Sequence, residues 1–165
     1  DVERSRGLGD VYKRQLNGDG QSLGFLDIID EYGSTPSGEL AKYYAGVCYM
    51  EMENYTDAIA MLDGFSSEEK NLSAVAKGLI GDAFAQLRQP EEALEYYKKA
   101  ANATNDNMLA PNFLMKAAAS AERLQDYNAA LGFYQTIEDD YSDSQQASDI
   151  KKYIAKAEYL VAHQE

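Results

Sequence analysis

The side chains that could act as nucleophiles or bind a metal ion are few and lie far apart in this sequence. Cys48 is the one cysteine and His163 the one histidine. A zinc site needs several histidine or cysteine ligands together, so the sequence predicts no such centre. We interpret Cys48 as a packing residue, because no histidine lies near it in sequence to activate its thiol. We interpret His163 as a residue of the C-terminal tail. A nucleophilic Cys48 and a basic or metal-binding His163 are the alternatives.

Acidic residues offer two further kinds of chemistry. The stretch Asn17-Gly18-Asp19-Gly20-Gln21 suggests a calcium loop, which needs glycine at its sixth position and glutamate at its twelfth. Ser22 and Ile28 stand at those positions, so a turn between helices is the favoured interpretation. Asp139-Asp140 and Glu68-Glu69 could supply a catalytic carboxylate pair, but solvated helix ends are the strongly favoured interpretation. We therefore predict no catalytic residues and no cofactor.

The charge balance limits the classes of partner. The chain has 28 acidic and 15 basic residues, for a net charge of -13. Affinity for nucleic acid comes largely from Lys and Arg that neutralise phosphates, and anionic lipid attracts the same residues. We therefore expect no nucleic-acid partner. No run of 18 apolar residues is present, so the sequence predicts no membrane span.

One unit of sequence occurs three times. Four of its residues return 35 residues later and again, in weaker form, 37 residues after that. In every copy 12 residues separate the first small residue from the alanine that follows it. A repeat of this size is typical of a helical solenoid, in which each unit buries its apolar face on its neighbours. The recurring residues are Gly46, Tyr49, Ala58 and Leu62, then Gly81, Phe84, Ala93 and Tyr97, then Ala118, Ala121, Ala130 and Tyr134.

The elements that carry these repeats read as helices throughout. Apolar residues recur with helical spacing and no segment alternates like a strand, which predicts an all-α fold. Pro36, Pro90 and Pro111 suit first helical turns, and Ser66 with Glu69 matches a capping box. We predict one domain over residues 17–165 with about three and a half repeats. Its parts are a half repeat at 20–33, repeats at 37–65, 72–103 and 110–140, and a capping helix at 145–162.

The first residues stand apart from this pattern. The segment Ser5–Gln15 resembles a translated sequencing-adapter tail that recurs in gene models assembled from environmental DNA. The resemblance implies that residues 1–16 are non-native or weakly ordered, although Leu8, Val11 and Tyr12 have the spacing of a helical turn. The chain begins with Asp1, so we expect that an upstream segment with a signal or anchor could belong to the native protein.

In its residue types the repeat resembles the tetratricopeptide repeat. That family has a small residue at position 8, an aromatic at 11, alanine at 20 and a large apolar residue at 24. The recurring residues above occupy these positions, over about residues 21–157. Lys42, Lys77 and Leu114 depart from the aromatic at position 4, and Ala121 departs at position 11. The resemblance implies a right-handed superhelical solenoid of antiparallel helix pairs and a non-enzymatic role in binding proteins.

The resemblance also implies where a ligand would lie. A protein or peptide segment would occupy a concave groove lined by the first helix of each repeat. Family members that clamp a C-terminal carboxylate have Lys and Asn at positions 5 and 9, which this chain lacks, so an acidic-tail ligand is disfavoured. Alternatively, Tyr43 and Met115 pack on the next repeat. The predicted groove residues are Tyr43, Val47, Met50, Asp82, Gln86, Met115 and Arg123.

A narrower resemblance concerns the first repeats. Gly18–Gly20, Gly24–Tyr32 and Tyr43–Gly46 resemble a bacterial group of single-span envelope proteins, similar to the ancillary subunit of the Sec translocon. This implies a periplasmic domain that takes part in protein assembly or secretion; otherwise we expect a cytoplasmic location. Two alternatives stay open. One is a structural component that forms a homodimer through Phe25 or Tyr153, and the other is an enzyme with an atypical carboxylate site.

Overall fold

The chain folds into helices that follow one another along the sequence. The computed structural model describes residues 2–163, including the side chains of residues 7–163, and this part contains no strand. The all-α prediction is confirmed. The helices are α1 (Val2–Asn17), α2 (Phe25–Tyr32), α3 (Pro36–Glu51), α4 (Tyr55–Asp63), α5 (Lys70–Gln86), α6 (Pro90–Ala103), α7 (Leu109–Arg123), α8 (Tyr127–Asp140) and α9 (Ile150–Ala162), with a short 3₁₀ helix at Gln146–Asp149 before α9.

The helices group into two compact units. The N-terminal unit holds α1 to α4 and runs to Glu68, and the C-terminal unit holds α5 to α9 and begins at Glu69. In the N-terminal unit α3 packs on α1, α2 and α4. In the C-terminal unit each helix packs on the next one, and α5 also contacts α7. This consecutive packing confirms a fold of the tetratricopeptide type. One domain over residues 17–165 and a superhelical course stay predictions.

The helix starts follow local chemistry. Pro36 and Pro90 are the first residues of α3 and α6, where a missing N–H has no consequence. The start signal at Ser66 was wrong. α5 begins at Lys70 with Glu69 as N-cap, and the N–H and hydroxyl of Ser66 donate instead to Glu39. α7 begins two residues before Pro111, because Asp106 accepts hydrogen bonds from the N–H groups that open this helix.

The turn inside each helix pair has the same geometry in all three copies. One residue lies in the left-handed region with φ of 59° or 60°. The next N–H donates at 2.9 Å to the carbonyl five residues earlier, which is the hydrogen bond of a Schellman motif. The three copies are therefore equivalent in structure as well as in sequence. The left-handed residues are Glu53, Arg88 and Gln125; the donors are Asn54, Gln89 and Asp126; and the acceptors are Tyr49, Phe84 and Ala121.

The two helices of a pair cross at small residues. A Cβ added to Gly46 would lie 2.5 Å from Cγ of Leu62, and one added to Gly81 would lie 2.6 Å from Cε1 of Tyr97. No real Cβ tolerates such contacts, so the crossings need glycine in these two copies. In the third copy the equivalent residue is alanine. This alanine has no exposed surface, and the same holds for the alanine that follows 12 positions later in every copy. These residues are Ala58, Ala93, Ala118 and Ala130.

A further close approach joins successive repeats of the C-terminal unit. A Cβ at Gly78 of α5 would overlap the ring of Phe113 on α7. Phe113 is buried in the core that α5 to α9 share. Gly78 therefore lets the first helices of two successive repeats lie side by side, a role that the repeat pattern alone did not indicate.

The segment before the first repeat is helical as well. Leu16, near the end of α1, is 2% exposed and packs in one cluster with Ala45 and Cys48 of α3. Tyr12 donates to Glu51 at 3.4 Å. The origin of residues 1–16 stays a prediction, but the end of α1 contributes to the packing of the N-terminal unit.

We expect Gly81→Ala to lower the free energy of unfolding by about 1–3 kcal/mol, because the ring of Tyr97 must shift to admit the methyl group. Gly132→Ala is the matched control, since a Cβ there meets no atom within 4 Å and Gly132 is exposed in α8. Gly132→Ala should raise the free energy of unfolding by about 0.5–1 kcal/mol, because alanine has the higher helix propensity. Urea unfolding followed by circular dichroism measures both. Equal stability of the two variants would contradict the crossing.

The left-handed turn residues give a second prediction. Glu53→Gly should raise the stability by about 1 kcal/mol, because glycine adopts a φ of 59° without a Cβ clash. Glu53→Ala removes the same carboxylate but keeps the clash, and it should bring no such gain. A melting temperature that rises equally in both variants would assign the effect to charge.

Candidate functional site

The first helices of two successive repeats lie together in the C-terminal unit. α5 and α7 contact each other, and each also packs on the second helix of its own repeat, α6 or α8. The residues that end α5 and α7 therefore come close in space although they are far apart in sequence. This arrangement forms the candidate site.

An open depression of about 420 Å³ lies at these helix ends. Gln86 is the last residue of α5 and Arg123 the last residue of α7, and both are exposed. Arg88 joins them from the turn after α5, and Pro90 joins them from the start of α6. Ala85 completes the lining. The structure thus brings together Gln86 and Arg123, two of the predicted groove residues, and adds Arg88, which sequence reasoning missed.

Asp82, another predicted groove residue, makes contacts that hold the unit together. Its carboxylate accepts hydrogen bonds at 2.7 Å from the hydroxyl of Tyr97 and at 2.7 and 2.8 Å from Nζ of Lys116. Tyr97 belongs to the same repeat and Lys116 to the next one. Met115, beside Lys116, is half-buried against the core. Both Asp82 and Met115 therefore have structural roles.

A triad of the same residue types joins α7, α8 and α9, although its acid lies at a different repeat position. Glu122 of α7 accepts from the hydroxyl of Tyr134 on α8 at 3.1 Å and from Nζ of Lys156 on α9 at 2.7 Å. In both triads the lysine lies 34 residues after the acid. We call these two sets, Asp82 with Tyr97 and Lys116 and Glu122 with Tyr134 and Lys156, the acid–tyrosine–lysine triads. The acid-to-lysine spacing is the same in both triads, whereas the tyrosine lies 15 residues after Asp82 and 12 residues after Glu122, so a fixed repeat register does not reveal the triads.

Both tyrosines of the triads stay protonated. Burial raises the pKa of Tyr97 far above its ordinary value, and the hydrogen bond to Asp82 and its charge raise it further. Burial also raises the pKa of Tyr134, and the charge of Glu122 adds to this effect. Each hydroxyl therefore serves as a permanent donor to a carboxylate rather than as an acid or base.

The predicted groove residues of the N-terminal unit are all half-buried in α3. Tyr43 makes ring contacts with Phe65 at 5.4 Å and with Tyr44 at 5.5 Å between centroids. Burial raises its pKa. Val47 and Met50 follow on the same helix. Tyr43 thus packs within its own unit, and the surface it presents is smaller than its position in the repeat implied.

The two residues with nucleophilic or metal-binding potential lie away from the depression. Cys48 is 3% exposed and its Sγ lies 3.3 Å from Oε1 of Gln15. Burial raises the pKa of this thiol, which opposes formation of the nucleophilic thiolate. His163 is exposed and stacks on the ring of Tyr159 with centroids 4.0 Å apart.

The supposed calcium loop is a turn. Oδ1 of Asp19 accepts hydrogen bonds from the N–H groups of Gln21 and Ser22 at 3.0 and 2.8 Å, and these bonds lower the pKa of Asp19. Over residues 7–163, whose side chains are described, no group of three or more His, Cys, Asp or Glu side chains is placed to hold a metal ion. Nor does any helix in the described part of the chain have the length and apolar character needed to cross a bilayer.

Comparison with protein families gives two matches. Residues 40–69 and 113–144 each match the tetratricopeptide repeat. The first segment covers most of α3 and all of α4, and the second covers most of α7 and all of α8. α5 and α6 lie between them and have the same turn geometry. A search among curated proteins found no significant match.

We expect Tyr97→Phe to change how stability depends on pH. The raised pKa means that Tyr97 keeps its proton in the folded protein, whereas the unfolded chain releases this proton above pH 10. The free energy of unfolding therefore falls as the pH rises above 10. The loss is about 1.4 kcal/mol for each pH unit in that range. Tyr97→Phe should be less stable than the natural chain at pH 8, and this difference should shrink above pH 10.

Urea midpoints of both proteins between pH 8 and 11 measure that difference. Tyr134→Phe is expected to behave in the same way, since its hydroxyl also donates to a carboxylate. A stability difference that stays constant across this range would show that the tyrosines ionise normally.

Proposed function

We propose that this chain, which carries tetratricopeptide repeats, is a non-enzymatic module that binds a segment of another protein on the face formed by α5 and α7. Repeats of this kind generally mediate protein–protein interaction and act as scaffolds. The net charge of -13 disfavours nucleic acid as the partner. The proposal concerns the C-terminal unit, in which two first helices lie side by side.

The observation that carries the proposal is the convergence of Gln86 and Arg123 on one depression. Both occupy ligand-facing positions in successive repeats, and both side chains are exposed. An amide and a guanidinium offer donors to the backbone carbonyls or polar side chains of an extended segment. The other groove residues of this unit, Asp82 and Met115, do not line the depression; they contact Tyr97, Lys116 and the core.

A binding role fits the depression better than catalysis does. None of the five lining residues is acidic, and an enzyme with an atypical carboxylate site requires converging carboxylates of perturbed pKa. Carboxylates with a lowered pKa occur elsewhere, and each has a structural cause. Backbone N–H groups stabilise the charge of Asp106, and Lys42 stabilises that of Glu39.

We also propose that this module works in protein assembly or secretion at a bacterial envelope, on the periplasmic side. The support is the resemblance of Gly24–Tyr32 and Tyr43–Gly46 to envelope proteins of that kind. Fractionation of source cells with an antibody to this chain tests it. The protein should occur in the envelope fraction and be digested by protease in spheroplasts; protection in intact spheroplasts would place it in the cytoplasm.

A structural role through homodimerisation is the second candidate, and exposed apolar side chains of the N-terminal unit favour it. Leu23, Tyr32, Leu40 and Tyr44 are between 42% and 55% exposed. Phe25, by contrast, stacks on Tyr44 within this unit at 5.7 Å. Light scattering after size exclusion decides between the candidates. A dimer that Leu40→Ser, Tyr44→Ser converts to monomer would favour the structural role.

Tyr153, the other ring considered for dimerisation, packs on Tyr134 inside the C-terminal unit with centroids 5.3 Å apart. It is therefore engaged in the packing of α8 against α9.

Peptides selected from a random display library test the proposed function directly. We expect a selected peptide to shift the backbone amide resonances of α5 and α7 in NMR spectra. Gln86→Ala, Arg123→Ala should weaken its binding about tenfold, as expected for the loss of polar contacts in a binding site. Both side chains are exposed, so this variant should keep its stability, whereas truncation of Met115 would also disturb the core.

The matched control is Lys98→Ala, Gln135→Ala, which removes two exposed side chains from the second helices α6 and α8. It should leave the affinity unchanged. Shifts that map to α6 and α8, or an equal loss of affinity in the control, would contradict the proposed face.

A further inference from the structure

The charges around the depression differ from those of the rest of the chain. Acidic residues outnumber basic ones by 28 to 15, yet the two charged residues that line the depression are both arginines. Arg88 and Arg123 are exposed and lie 35 residues apart in sequence, so the fold brings them together. A local cationic site in an acidic protein needs a physical explanation.

The lysines nearby already have partners, whereas the arginines do not. Lys116 pairs with Asp82 and Lys156 pairs with Glu122, each at 2.7 Å. Within the described residues no carboxylate lies at ion-pair distance from Arg88 or Arg123. Both guanidinium groups are therefore available to a group from outside the chain.

The backbone adds positive electrostatic potential at the depression. α6 begins at Pro90, which lines the depression, and the N-terminus of a 14-residue helix carries partial positive charge. Glu91 and Glu92 lie in the same first turn but do not contribute to the lining. Arg88 has a φ of 60° in its turn, and this conformation recurs at each copy. The position of Arg88 is thus fixed by the Schellman motif of the turn.

We infer that Arg88 and Arg123 bind a carboxylate of the partner segment. A guanidinium binds a carboxylate through two parallel hydrogen bonds, and two arginines with Gln86 as a further donor suit one such group. The inference rests on the proposed function, since it names the chemistry of the segment that α5 and α7 would hold. The site uses the ends of the first helices, not their positions 5 and 9.

The negative net charge of this chain favours a partner segment with few carboxylates. Each added negative charge on the ligand is repelled by the acidic surface, with a screening length of about 8 Å at physiological salt. A tract of acidic residues would extend beyond the two arginines and meet this surface. We therefore assign a segment with one carboxylate at the site, either a free C-terminus or a single Asp or Glu side chain.

Titration of the full chain with defined probes, followed by NMR of the arginine Nε–H groups, tests the inference. The probes are an acetylated alanine tripeptide with a free C-terminus, its C-terminal amide, an amidated acetyl-Ala-Glu-Ala and inorganic phosphate. The free carboxylate, the glutamate or both should shift the Arg88 and Arg123 resonances to saturation, and the amide should not. Which probe binds identifies the source of the carboxylate.

Arg88→Gln and Arg123→Gln should each weaken the carboxylate probe about 10-fold to 100-fold, as expected for the loss of a charged hydrogen-bonding partner. Arg14→Gln is the matched control, an exposed arginine of the N-terminal unit, and should leave the affinity unchanged. Arg88→Lys keeps the charge without the planar fork and should fall between the natural chain and Arg88→Gln. Melting temperatures of all variants verify that they fold.

Three results would overturn the inference: no saturable shift with either carboxylate probe, equal binding of the amide, or tighter binding of phosphate. If the peptides selected for the α5 and α7 face bind without any carboxylate, this inference fails and the proposed function stands. If no peptide binds that face and the carboxylate probes do bind, the proposed function fails alone.

Discussion

The structure depends on the close crossing of two helices at residues that have almost no side chain. At Gly46 and Gly81 the space that a Cβ would need is filled by Leu62 and by the ring of Tyr97. A large residue from the second helix can therefore lie directly over the first helix and bury itself completely. This explains why small and large residues recur at a fixed interval. The sequence repeats because the crossing repeats.

The triad of Asp82, Tyr97 and Lys116 follows from that crossing. Because the ring of Tyr97 lies against Gly81, its hydroxyl reaches the next residue of the same helix, Asp82. Asp82 then has a fixed position and orients Lys116 from the following repeat. One contact between small and large residues thus determines both the pairing within a repeat and a polar link to the next. In the first copy Leu62 replaces the tyrosine and offers no hydroxyl for such a link.

The sequence pattern predicted the helices more completely than the contacts of the residues expected to line the groove. Helical spacing and the prolines at 36 and 90 indicated the helices correctly, since these signals act within one or two turns. The capping box predicted at Ser66 was wrong because Glu39, 27 residues away, accepts the hydrogen bond of the Ser66 N–H. Asp82 and Tyr43 occupy ligand-facing positions, but their partners come from elements whose contacts the repeat register does not specify.

Arg88 shows most clearly what a sequence pattern leaves out. Its position in the repeat belongs to the turn, and turn residues are not among those that line a groove. It reaches the depression because a left-handed residue ends the helix α5 and sends the chain into α6 at Pro90. A side chain in that turn lies at the junction of three helix ends, where α5 and α7 finish and α6 starts.

Two lysines and two arginines of the C-terminal unit make different contacts because they lie at different places on the helices. Lys116 and Lys156 lie within the bodies of α7 and α9, where a flexible ammonium can reach an acid on the preceding first helix. Arg88 lies in the turn after α5 and Arg123 is the last residue of α7, and neither forms an ion pair within the described residues. The packing of the repeats thus pairs Lys116 and Lys156 with acids and leaves Arg88 and Arg123 exposed. In a chain with a net charge of -13, this depression is cationic because its lining includes two arginines and no acid.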